Sequence, residues 1–436
     1  MPVENSRLKS FFKLSVDERR EVVAELANLS GDQINALMAC GELDQAAADR
    51  MIENVIGTMS LPVGVATNFL IDDNHYLIPF CVEESSIIAA ASNMAKRCLT
   101  NGGFRTSTDE PIMIGQIQVL DIEDMDFAVS SITENKEELI SICNSLPSTM
   151  VKLGGGCKDI RTRVIENRGL DESNKMLIIH ILVDTRDAMG ANAVNTMAEL
   201  VSTRVEEITG GRVNLRILSN LAAHRLARSE ATFSPEEISE DGSRENGIQV
   251  IDSIIEAYNF AISDPFRAAT HNKGIMNAIS AISLACGQDW RAIEAGCHAW
   301  ASYNNSGNYT SMTHWNKDVN GNLTGTIEVP LAVGIVGGAS KVHPAAKANL
   351  SILGVESAVE LAGIMVSAGL AQNLGAMRAL ATKGIQAGHM RLHVKNMAVS
   401  AGALDNEIEL VANRVINSNK PITQQMVKDA LEEIRK

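Results

Sequence analysis

The chain has 436 residues, of which 38 are Lys or Arg and 53 are Asp or Glu, so its formal net charge is −15. The length allows roughly two to four domains, and a content of 45% hydrophobic and 21% charged residues excludes a disordered chain. The acidic excess argues against a nucleic-acid-binding surface, because phosphate binding depends on clusters of Lys and Arg.

The N-terminus and the cysteines bear on localisation. The first twenty residues carry too many charges for the apolar region of a signal peptide, and the longest apolar run, 361–371, is too short to span a bilayer. The seven cysteines are scattered and form no Cys-x-x-Cys pair, which argues against a disulfide framework or a structural zinc site. We therefore expect a cytoplasmic protein that does not enter a membrane.

Helix signals dominate the first hundred residues. Two capping boxes, at 15–18 and 30–33, predict two helices. The segment 75–82 is predicted as a strand, and a helix of small residues follows it, capped by Ser85 or Ser86 and ended by a pair of glycines. This part of the chain is expected to belong to a helix-rich domain.

Residues 112–219 have a different pattern, in which strands and helices alternate. The predicted order is strand, helix, strand, strand, helix, strand, which is that of the split βαβ or ferredoxin-like unit. The strands are expected near 112–122, 159–165, 175–183 and 212–220, and the helices near 126–146 and 190–211. This stretch has the size of one inserted domain.

From residue 220 the chain returns to Ala-rich helices. A polar linker at 233–247 separates two of them, and the pair Asn320-Gly321 predicts a hairpin with a type I′ turn. The last part of the chain, from about 382, is predicted as helical segments with charged faces. The expected fold is α+β, with a large helix-rich domain at 1–111 and 220–380, an inserted ferredoxin-like domain at 112–219 and a C-terminal helical domain at 381–436.

Acidic residues precede one helix that is otherwise almost wholly apolar. Glu83 and Glu84 stand at its N-terminus, where two acids complement the helix dipole. Alternatively, one of them is buried and keeps its proton, which makes it a proton donor. No Rossmann, P-loop, zincin or nucleophile-elbow motif is present to suggest another chemistry.

Further candidates lie among small residues in the second half of the chain. Arg267, His271 and Lys273 could grip a carboxylate or phosphates, or they form an exposed basic helix start. Asp289 is either a plain helix cap or the partner that keeps the Lys273 amine protonated. His389 follows a glycine near the C-terminal segment, where it is either structural or delivers a proton after that segment closes.

The segment 187–195 spans the end of a strand and the start of a long helix. Gly190 would let the backbone approach a pyrophosphate, and the free N–H groups and the dipole of the helix would favour its charge. Asn192 and Asn195 lie on one face of that helix. The segment predicts a site for a small anion or a nucleotide, or it is a plain turn before a helix.

Together these segments resemble 3-hydroxy-3-methylglutaryl-CoA reductase, in the soluble class II form. The matching motifs, collinear from about residue 50 to 400, are ENVIG (53–57), EESS (83–86), DAMGAN (187–192), ATHNKGIMN (269–277), GQDWRAIEAG (287–296), GLAQNLGAMRALAT (369–382) and GHM (388–390). The resemblance implies a large helical domain interrupted by a dinucleotide-binding ferredoxin-like domain, and a mobile C-terminal flap. Ser85 departs from the family, which usually has Pro or Gly there.

The resemblance also implies the reaction, which is the reduction of hydroxymethylglutaryl-CoA to mevalonate and free CoA by two NAD(P)H, without a metal. The implied catalytic residues are Glu84 as the acid, Lys273 as the oxyanion stabiliser, Asp289 as their electrostatic partner and His389 as the group that protonates the thiolate. Implied substrate contacts are Arg267, Ser86 and Asn277, and implied cofactor contacts are Asp187, Met189, Gly190, Asn192 and Asn195.

The sequence leaves the reductant open between NADH and NADPH. Some relatives that prefer NADH carry an acid shortly before the LGGGC segment, where this chain has Leu146-Pro147-Ser148. The implied assembly is a homodimer, or a set of dimers, with active sites at the interface. Two alternatives remain: an aldolase-like enzyme in which Lys273 forms a Schiff base, and a catalytically silent oligomer that binds acyl-CoA.

Overall fold

The structure, a computed structural model, describes residues 2–38, 43–145, 147–166, 175–382, 394–418 and 422–435. Helices and strands are mixed along these ranges, and the strands form two separate sheets. Each sheet packs on an apolar core of its own. The α+β class predicted from the sequence is therefore confirmed.

The strands divide between the two sheets. They are β1 (Val63–Ile71), β2 (Asn74–Cys81), β3 (Phe104–Thr108), β4 (Ile112–Leu120), β5 (Gly156–Glu166), β6 (Lys175–Asp184), β7 (Arg212–Ser219), β8 (Leu226–Phe233), β9 (Thr313–Lys317) and β10 (Leu323–Pro330). The larger sheet has the order β2-β1-β3-β8-β10-β9. Because β3 pairs with β8 across the insertion, this sheet joins the chain before residue 112 to the chain after residue 219.

The helices carry most of the candidate residues. They are α1 (Val16–Leu26), α2 (Gly31–Met38), α3 (Gln45–Met51), α4 (Ile87–Arg97), α5 (Met125–Glu134), α6 (Lys136–Cys143), α7 (Thr149–Lys152), α8 (Ala191–Thr209), α9 (Pro235–Ile238), α10 (Arg244–Ser263), α11 (Pro265–Ala285), α12 (Trp290–Tyr303), α13 (Ala339–Val342), α14 (Pro344–Leu353), α15 (Ala358–Ala381), α16 (394–400), α17 (Asp405–Ile416) and α18 (Gln424–Ile434). The predicted capping box at Ser15 and Glu18 is confirmed at the start of α1.

Helix α15 forms the centre of the larger unit. Every residue from Leu361 to Leu374 is buried, as expected of a helix that is apolar on all sides. It packs against α11, α4 and β8. Glycine at position 369 allows a close crossing, because a Cβ there would lie 3.0 to 3.2 Å from Ile279 and Ile275 of α11. The position of α11 is thus fixed by a buried neighbour.

The smaller sheet has the antiparallel order β5-β6-β4-β7. Helices α5, α6 and α8 lie on it, and the core between them contains Ile117, Ile179 and Val201. Elements alternate along the chain as the sequence predicted, and the outer strand β7 pairs with β4, the first strand of the unit. The ferredoxin-like arrangement is that of the βαββαβ motif.

No single helix in the described ranges is long and apolar enough to cross a membrane. Helices α14 and α15 pass that test only as a pair, and they are bent by 82° at the break between them.

Two local predictions after residue 220 are wrong. The first segment is the strand β8 and not a helix, because its small side chains pack in the middle of a sheet against α15. The hairpin between β9 and β10 is present, but Gly321 has a positive φ and Asn320 does not, whereas a type I′ turn needs both. The carboxylate of Asp318 instead accepts the N–H groups of Asn320 and Asn322, each at 2.8 Å, and stabilises a wider loop.

A buried amide ties α15 to α11 and β9, and its loss should destabilise the fold. The side-chain oxygen of Asn373 accepts the indole N–H of Trp315 at 2.8 Å, and its nitrogen lies 3.1 Å from His271 Nε2. Asn373→Leu removes both contacts from the buried centre and leaves the hydroxyl of Thr313 as the remaining partner of the indole N–H, at 3.2 Å. We expect a loss of about 2 kcal/mol in the free energy of unfolding. Denaturant titration measures this loss. Leucine at the exposed Asn316 of β9 is the control, expected to change stability by less than ~0.5 kcal/mol, and equal losses would contradict the role of the amide.

Candidate active site

The first group of candidate residues lies where the N-terminus of α4 meets α11. Lys273 Nζ is 3.0 Å from Glu84 Oε2, so the two side chains form a hydrogen-bonded ion pair. Glu84 lies three residues before α4, and Lys273 lies in the third turn of α11. The fold thus brings together a cation and an acid that are 189 positions apart in the sequence.

Two predicted substrate contacts flank this pair. Ser86 is the N-cap residue of α4 and has a left-handed backbone with φ of 70°, which is uncommon outside glycine and is concentrated at functional sites. Its hydroxyl donates to the carbonyl of Ser85 at 2.5 Å and does not cap the helix. Asn277 lies one turn after Lys273 on the same face of α11 and is half-buried.

Arg267 lies in the first turn of α11 and is half-buried. Burial lowers the pKa of its guanidinium. Within the part of the chain that the structure describes, it has neither an ion-pair nor a hydrogen-bond partner. A partly desolvated cation with five free donors is suited to bind a carboxylate or a phosphate.

Two expected features of this group are not present within the single chain. The acid is not buried, because the side chain of Glu84 is 40% exposed and that of Lys273 is 61% exposed. Asp289 does not pair with Lys273 either. It is the N-cap of α12, where it accepts the N–H of Ala292 at 3.1 Å and lies 3.5 Å from the guanidinium of Arg291.

The length of α11 explains why Asp289 lies far from Lys273. Ten residues separate Lys273 from Ser283, which is about 15 Å along the helix axis. The N–H of Gln288 then donates to the carbonyl of Ser283 at 2.8 Å. The segment that carries Asp289 is therefore held at the opposite end of α11.

The second group of candidate residues surrounds the turn at 185–190, between β6 and α8. Gly190 has φ of 93°, and a Cβ at this position would lie 2.2 Å from Thr185 Cγ2, so the turn requires glycine. No side chain caps α8. Its first N–H groups and the positive end of its dipole are therefore available to an anion such as a pyrophosphate.

The other predicted cofactor contacts lie around the same turn. The carboxylate of Asp187 accepts the N–H of Ala358 at 2.9 Å, so it helps to start α15. The side-chain oxygen of Asn195 accepts a backbone N–H of β7 at 2.8 Å. Met189 packs half-buried on the core of the smaller sheet, and Asn192 is exposed in the first turn of α8. Asp187 and Asn195 therefore also have a structural role, because their hydrogen bonds hold the turn and the start of α8 in place.

Asp289 belongs to this second group. Its neighbour Gln288 makes two hydrogen bonds of 2.8 Å with the backbone of Gly334. A Cβ on Gly334 would lie 2.5 Å from the backbone nitrogen of Met189, so the two segments are in contact. Gln288 was not among the residues predicted from the sequence. The one indication of its role is its position beside Asp289 in the GQDWRAIEAG motif.

Three further observations concern His389, the main cleft and possible metal ligands. His389 lies outside the described residues. A cleft of about 800 Å³ opens against the larger sheet, and none of the candidate residues lines it. In the described ranges no group of three or more His, Cys, Asp or Glu side chains is placed to hold a metal ion. Because α11 separates Lys273 from the segment of Asp289, the two groups of candidate residues are separate surfaces of one chain.

Known proteins resemble this chain over nearly its whole length. The sequence model of one family, hydroxymethylglutaryl-coenzyme A reductase, matches residues 15–394. The 3-hydroxy-3-methylglutaryl-coenzyme A reductase of Archaeoglobus fulgidus is 51% identical over 431 residues, which cover 99% of this chain and 95% of that protein. The probable 3-hydroxy-3-methylglutaryl-coenzyme A reductase of Borreliella burgdorferi is 34% identical over 389 residues, which cover 89% of this chain and 86% of that protein.

A solved structure extends this comparison to the fold. The class II 3-hydroxy-3-methylglutaryl-CoA reductase of Streptococcus pneumoniae, bound to NADPH in open conformations, matches with a TM-score of 0.80 and 36% identity. The match covers 97% of this chain and 100% of that one. The sequence motifs, the two-sheet fold and these likenesses agree, and the chain belongs to the hydroxymethylglutaryl-CoA reductase family, with the fold of its class II members.

Proposed function

We propose that the chain reduces 3-hydroxy-3-methylglutaryl-CoA to mevalonate and free CoA, with two equivalents of NADH or NADPH, in the mevalonate pathway. Family membership supports the reaction as a whole. Within the structure, the observation that supports it most directly is the contact of 3.0 Å between Lys273 and Glu84. Each reduction of a carbonyl needs charge stabilisation and a proton at one oxygen. Lys273 offers the first, and Glu84 beside it offers the second when its carboxyl carries a proton.

The second group of residues supports NADH or NADPH as the reductant. The uncapped N-terminus of α8, with the close turn at Gly190, offers backbone donors to a pyrophosphate, and Asn192 is exposed beside it. Each bound NAD(P)H would supply one hydride from its nicotinamide, so the two reductions use two cofactor molecules in turn. The Streptococcus pneumoniae relative binds NADPH, and Pro147 and Ser148 carry no carboxylate for the ribose 2′-hydroxyl that NADH presents.

The first reduction places negative charge on the oxygen of the thioester carbonyl and gives a mixed thiohemiacetal. We assign Lys273 to this oxygen, because its ammonium group is exposed on the substrate side of α11 and can donate to the developing charge. Collapse of the thiohemiacetal breaks the C–S bond and releases CoA as a thiolate. By resemblance to the family, His389 protonates that thiolate.

The second reduction converts mevaldehyde into mevalonate. It has no leaving group and needs only a hydride on carbon and a proton on oxygen, which we assign to Glu84. The hydroxymethylglutaryl part would be held by Ser86, Asn277 and Arg267. The unpaired guanidinium of Arg267 is suited to the free carboxylate of this substrate.

We propose that each complete site combines two copies of the chain. Lys273 lies in the third turn of α11, whereas Asp289 lies beyond the C-terminal end of that helix. We infer that a second copy supplies the Asp289 and the cofactor turn that meet the first copy's Lys273. A twofold dimer then contains two equivalent sites. Large apolar side chains exposed beside the ENVIG motif support such an interface, since Ile52, Ile56 and Met59 are 63%, 104% and 85% exposed.

The surroundings of Lys273 disfavour the alternative of a Schiff-base enzyme. A nucleophilic lysine is activated by an apolar pocket or by a neighbouring cation. Lys273 is instead 61% exposed and lies beside a carboxylate. No described feature favours that chemistry over reduction.

We also propose the division into domains at 1–111 with 220–380, at 112–219 and at 381–436. Three apolar clusters support it, because each cluster lies essentially within one of these units. A cytoplasmic location is a further proposal. It is supported by the free thiols of all six described cysteines, as is typical of proteins in a reducing compartment.

An absorbance assay tests the overall reaction. The purified protein, mixed with NADPH and hydroxymethylglutaryl-CoA, should oxidise two NADPH for each CoA thiol released, because the reaction transfers two hydrides per substrate. A thiol reagent counts the CoA in parallel. If hydroxymethylglutaryl-CoA causes no oxidation of NADPH in one assay and none of NADH in a second, the chain is a binding protein and not a reductase.

Mixed dimers test whether two copies share each site. Lys273→Ala and Asp289→Asn should each lower activity at least ~10²-fold, as expected when a group that stabilises transition-state charge is lost. Co-expression of the two variants with different tags should restore about a quarter of wild-type activity, because half of the dimers are hybrids and each hybrid has one intact site.

The control for this experiment pairs Lys273→Ala with Glu84→Gln. Both residues belong to the same group, so each site of the hybrid has one defect and activity should not recover. Equal recovery in the two mixtures, or none in either, would contradict the proposed sharing of sites.

The two protons of the reaction can be separated with free mevaldehyde as the substrate. His389→Gln should strongly impair reduction of hydroxymethylglutaryl-CoA and largely spare reduction of mevaldehyde, because the second step releases no thiolate. Glu84→Gln should impair both reactions. Steady-state rates of both variants with both substrates measure this, and a proportional loss of the two activities in His389→Gln would show that the histidine has no separate role.

A further inference from the structure

Arg225 is a buried cation that the proposed reaction does not use. It lies directly before β8 and is 5% exposed. Its guanidinium donates to the hydroxyl of Thr185 at 3.1 Å, to the carbonyl of Ala188 at 3.2 Å and to the carbonyl of Val333. It also approaches the carbonyl of Met189 at 3.5 Å. One side chain thus binds the 185–190 turn on one side and the segment after β10 on the other.

Arg225 keeps its charge in this buried place. Burial lowers its pKa to about 10, and the carboxylates of Asp187 and Asp184 oppose that shift. The guanidinium is therefore protonated at neutral pH. Asp184 is itself paired with Arg186 at 3.1 Å. Because a buried charge is expensive to desolvate, an apolar residue here would cost less free energy, but it could not bind two backbone segments at once.

Gln288 contacts the same segment from the other side. Its side chain bonds to the N–H and the carbonyl of Gly334, and it also donates to the carbonyl of Cys286 at 3.0 Å. Val333, which accepts from Arg225, is the preceding residue. The segment 333–334 is thus held between Arg225, which also holds the turn, and Gln288, which is bonded covalently to Asp289.

We propose that Arg225 and Gln288 are positioning residues for the reductant. Together they fix the 185–190 turn relative to Asp289, so that the N-terminus of α8 and this carboxylate meet the cofactor in one arrangement. This inference rests on the proposed function, which assigns the turn to NAD(P)H. Neither side chain needs to contact the cofactor, since both act through the backbone of the turn and of the segment 333–334.

The variant Arg225→Lys tests the proposal. Lysine keeps the charge but has a compact ammonium in place of the planar fork, so it cannot reach both segments. The Kd for NADPH, measured by fluorescence titration of the protein without substrate, should rise about tenfold, the effect of losing one charge-assisted hydrogen bond. The KM for NADPH should rise with it, while the KM for hydroxymethylglutaryl-CoA should stay within about twofold, because that ligand is held elsewhere.

A second variant covers the case in which Arg225→Lys does not fold. Gln288 is only half-buried, and Gln288→Met keeps its size while removing both hydrogen bonds to Gly334. This variant should weaken NADPH binding in the same direction. An unchanged Kd for NADPH in the folded variants would overturn the proposal. If only Gln288→Met folds, an unchanged Kd for NADPH in that variant alone overturns it.

Arg97→Lys is the matched control. Arg97 is also half-buried, and its guanidinium donates to the carbonyls of Glu237 and Ser239, beyond the far end of β8. That strand has eight residues and is roughly 25 Å long. The control should lower the unfolding temperature without changing the Kd for NADPH. If the wild-type protein binds NADPH but Arg97→Lys and Arg225→Lys weaken binding equally, the effect is general destabilisation and the inference is wrong. If wild-type protein oxidises neither NADPH nor NADH in the presence of hydroxymethylglutaryl-CoA, the proposed function is wrong instead.

Discussion

The length of helix α11 is the constraint on which the organisation of the site depends. It places Lys273 in its third turn and holds the segment of Asp289 beyond its C-terminal end, and a helix cannot shorten to bring them together. The crossing with α15 keeps α11 in position, because Gly369 packs directly on Ile275 and Ile279. One chain therefore presents two incomplete surfaces, which would meet between copies in the proposed dimer.

This arrangement also explains the exposure of Glu84 and Lys273. An acid and a cation that are 40% and 61% exposed lie in a wet environment, where their interaction is screened by water. A second copy that covers them would remove this water and strengthen each charge interaction at the substrate oxygen. A single-chain enzyme excludes water with a deep cleft. In the proposed dimer, the interface between the two copies would exclude it.

Much of the fold could be predicted from the sequence. The hydrophobic pattern is clear wherever a helix or strand packs against a single core. The alternation of elements at 112–219 predicted the ferredoxin-like unit, and the apolar run 361–371 predicted the core of α15. The central strand β8 was missed, since its sequence LARSEATF is poor in β-branched residues and gains its strand conformation from neighbours on both sides. The turn at Asn320 was misjudged because a nearby aspartate competes for its backbone.

The candidate site shows a similar division. The resemblance assigned Glu84 and Lys273 to one catalytic site, and they lie 3.0 Å apart although 189 residues separate them. The resemblance also made Asp289 their partner. The sequence could have shown that this contact does not form within one chain, because ten residues of helix from Lys273 to Ser283 already span about 15 Å. Arg225 and Gln288 could not be found, because their roles depend on which backbone carbonyls lie near them, and no spacing in the sequence records that.

Both ligands of the proposed reaction are anionic, whereas the chain carries a net charge of −15. The described cations around the site resolve this conflict in three different ways. Arg267 has no described carboxylate partner, so its charge is free for a ligand. Arg225 is bound mainly by carbonyl dipoles, which hold its position while leaving much of its charge to act on the turn. Lys273 is paired with Glu84, and a proton transferred from Glu84 to substrate would leave a carboxylate that Lys273 already neutralises. The positive potential that binds the ligands is thus local to these three cations.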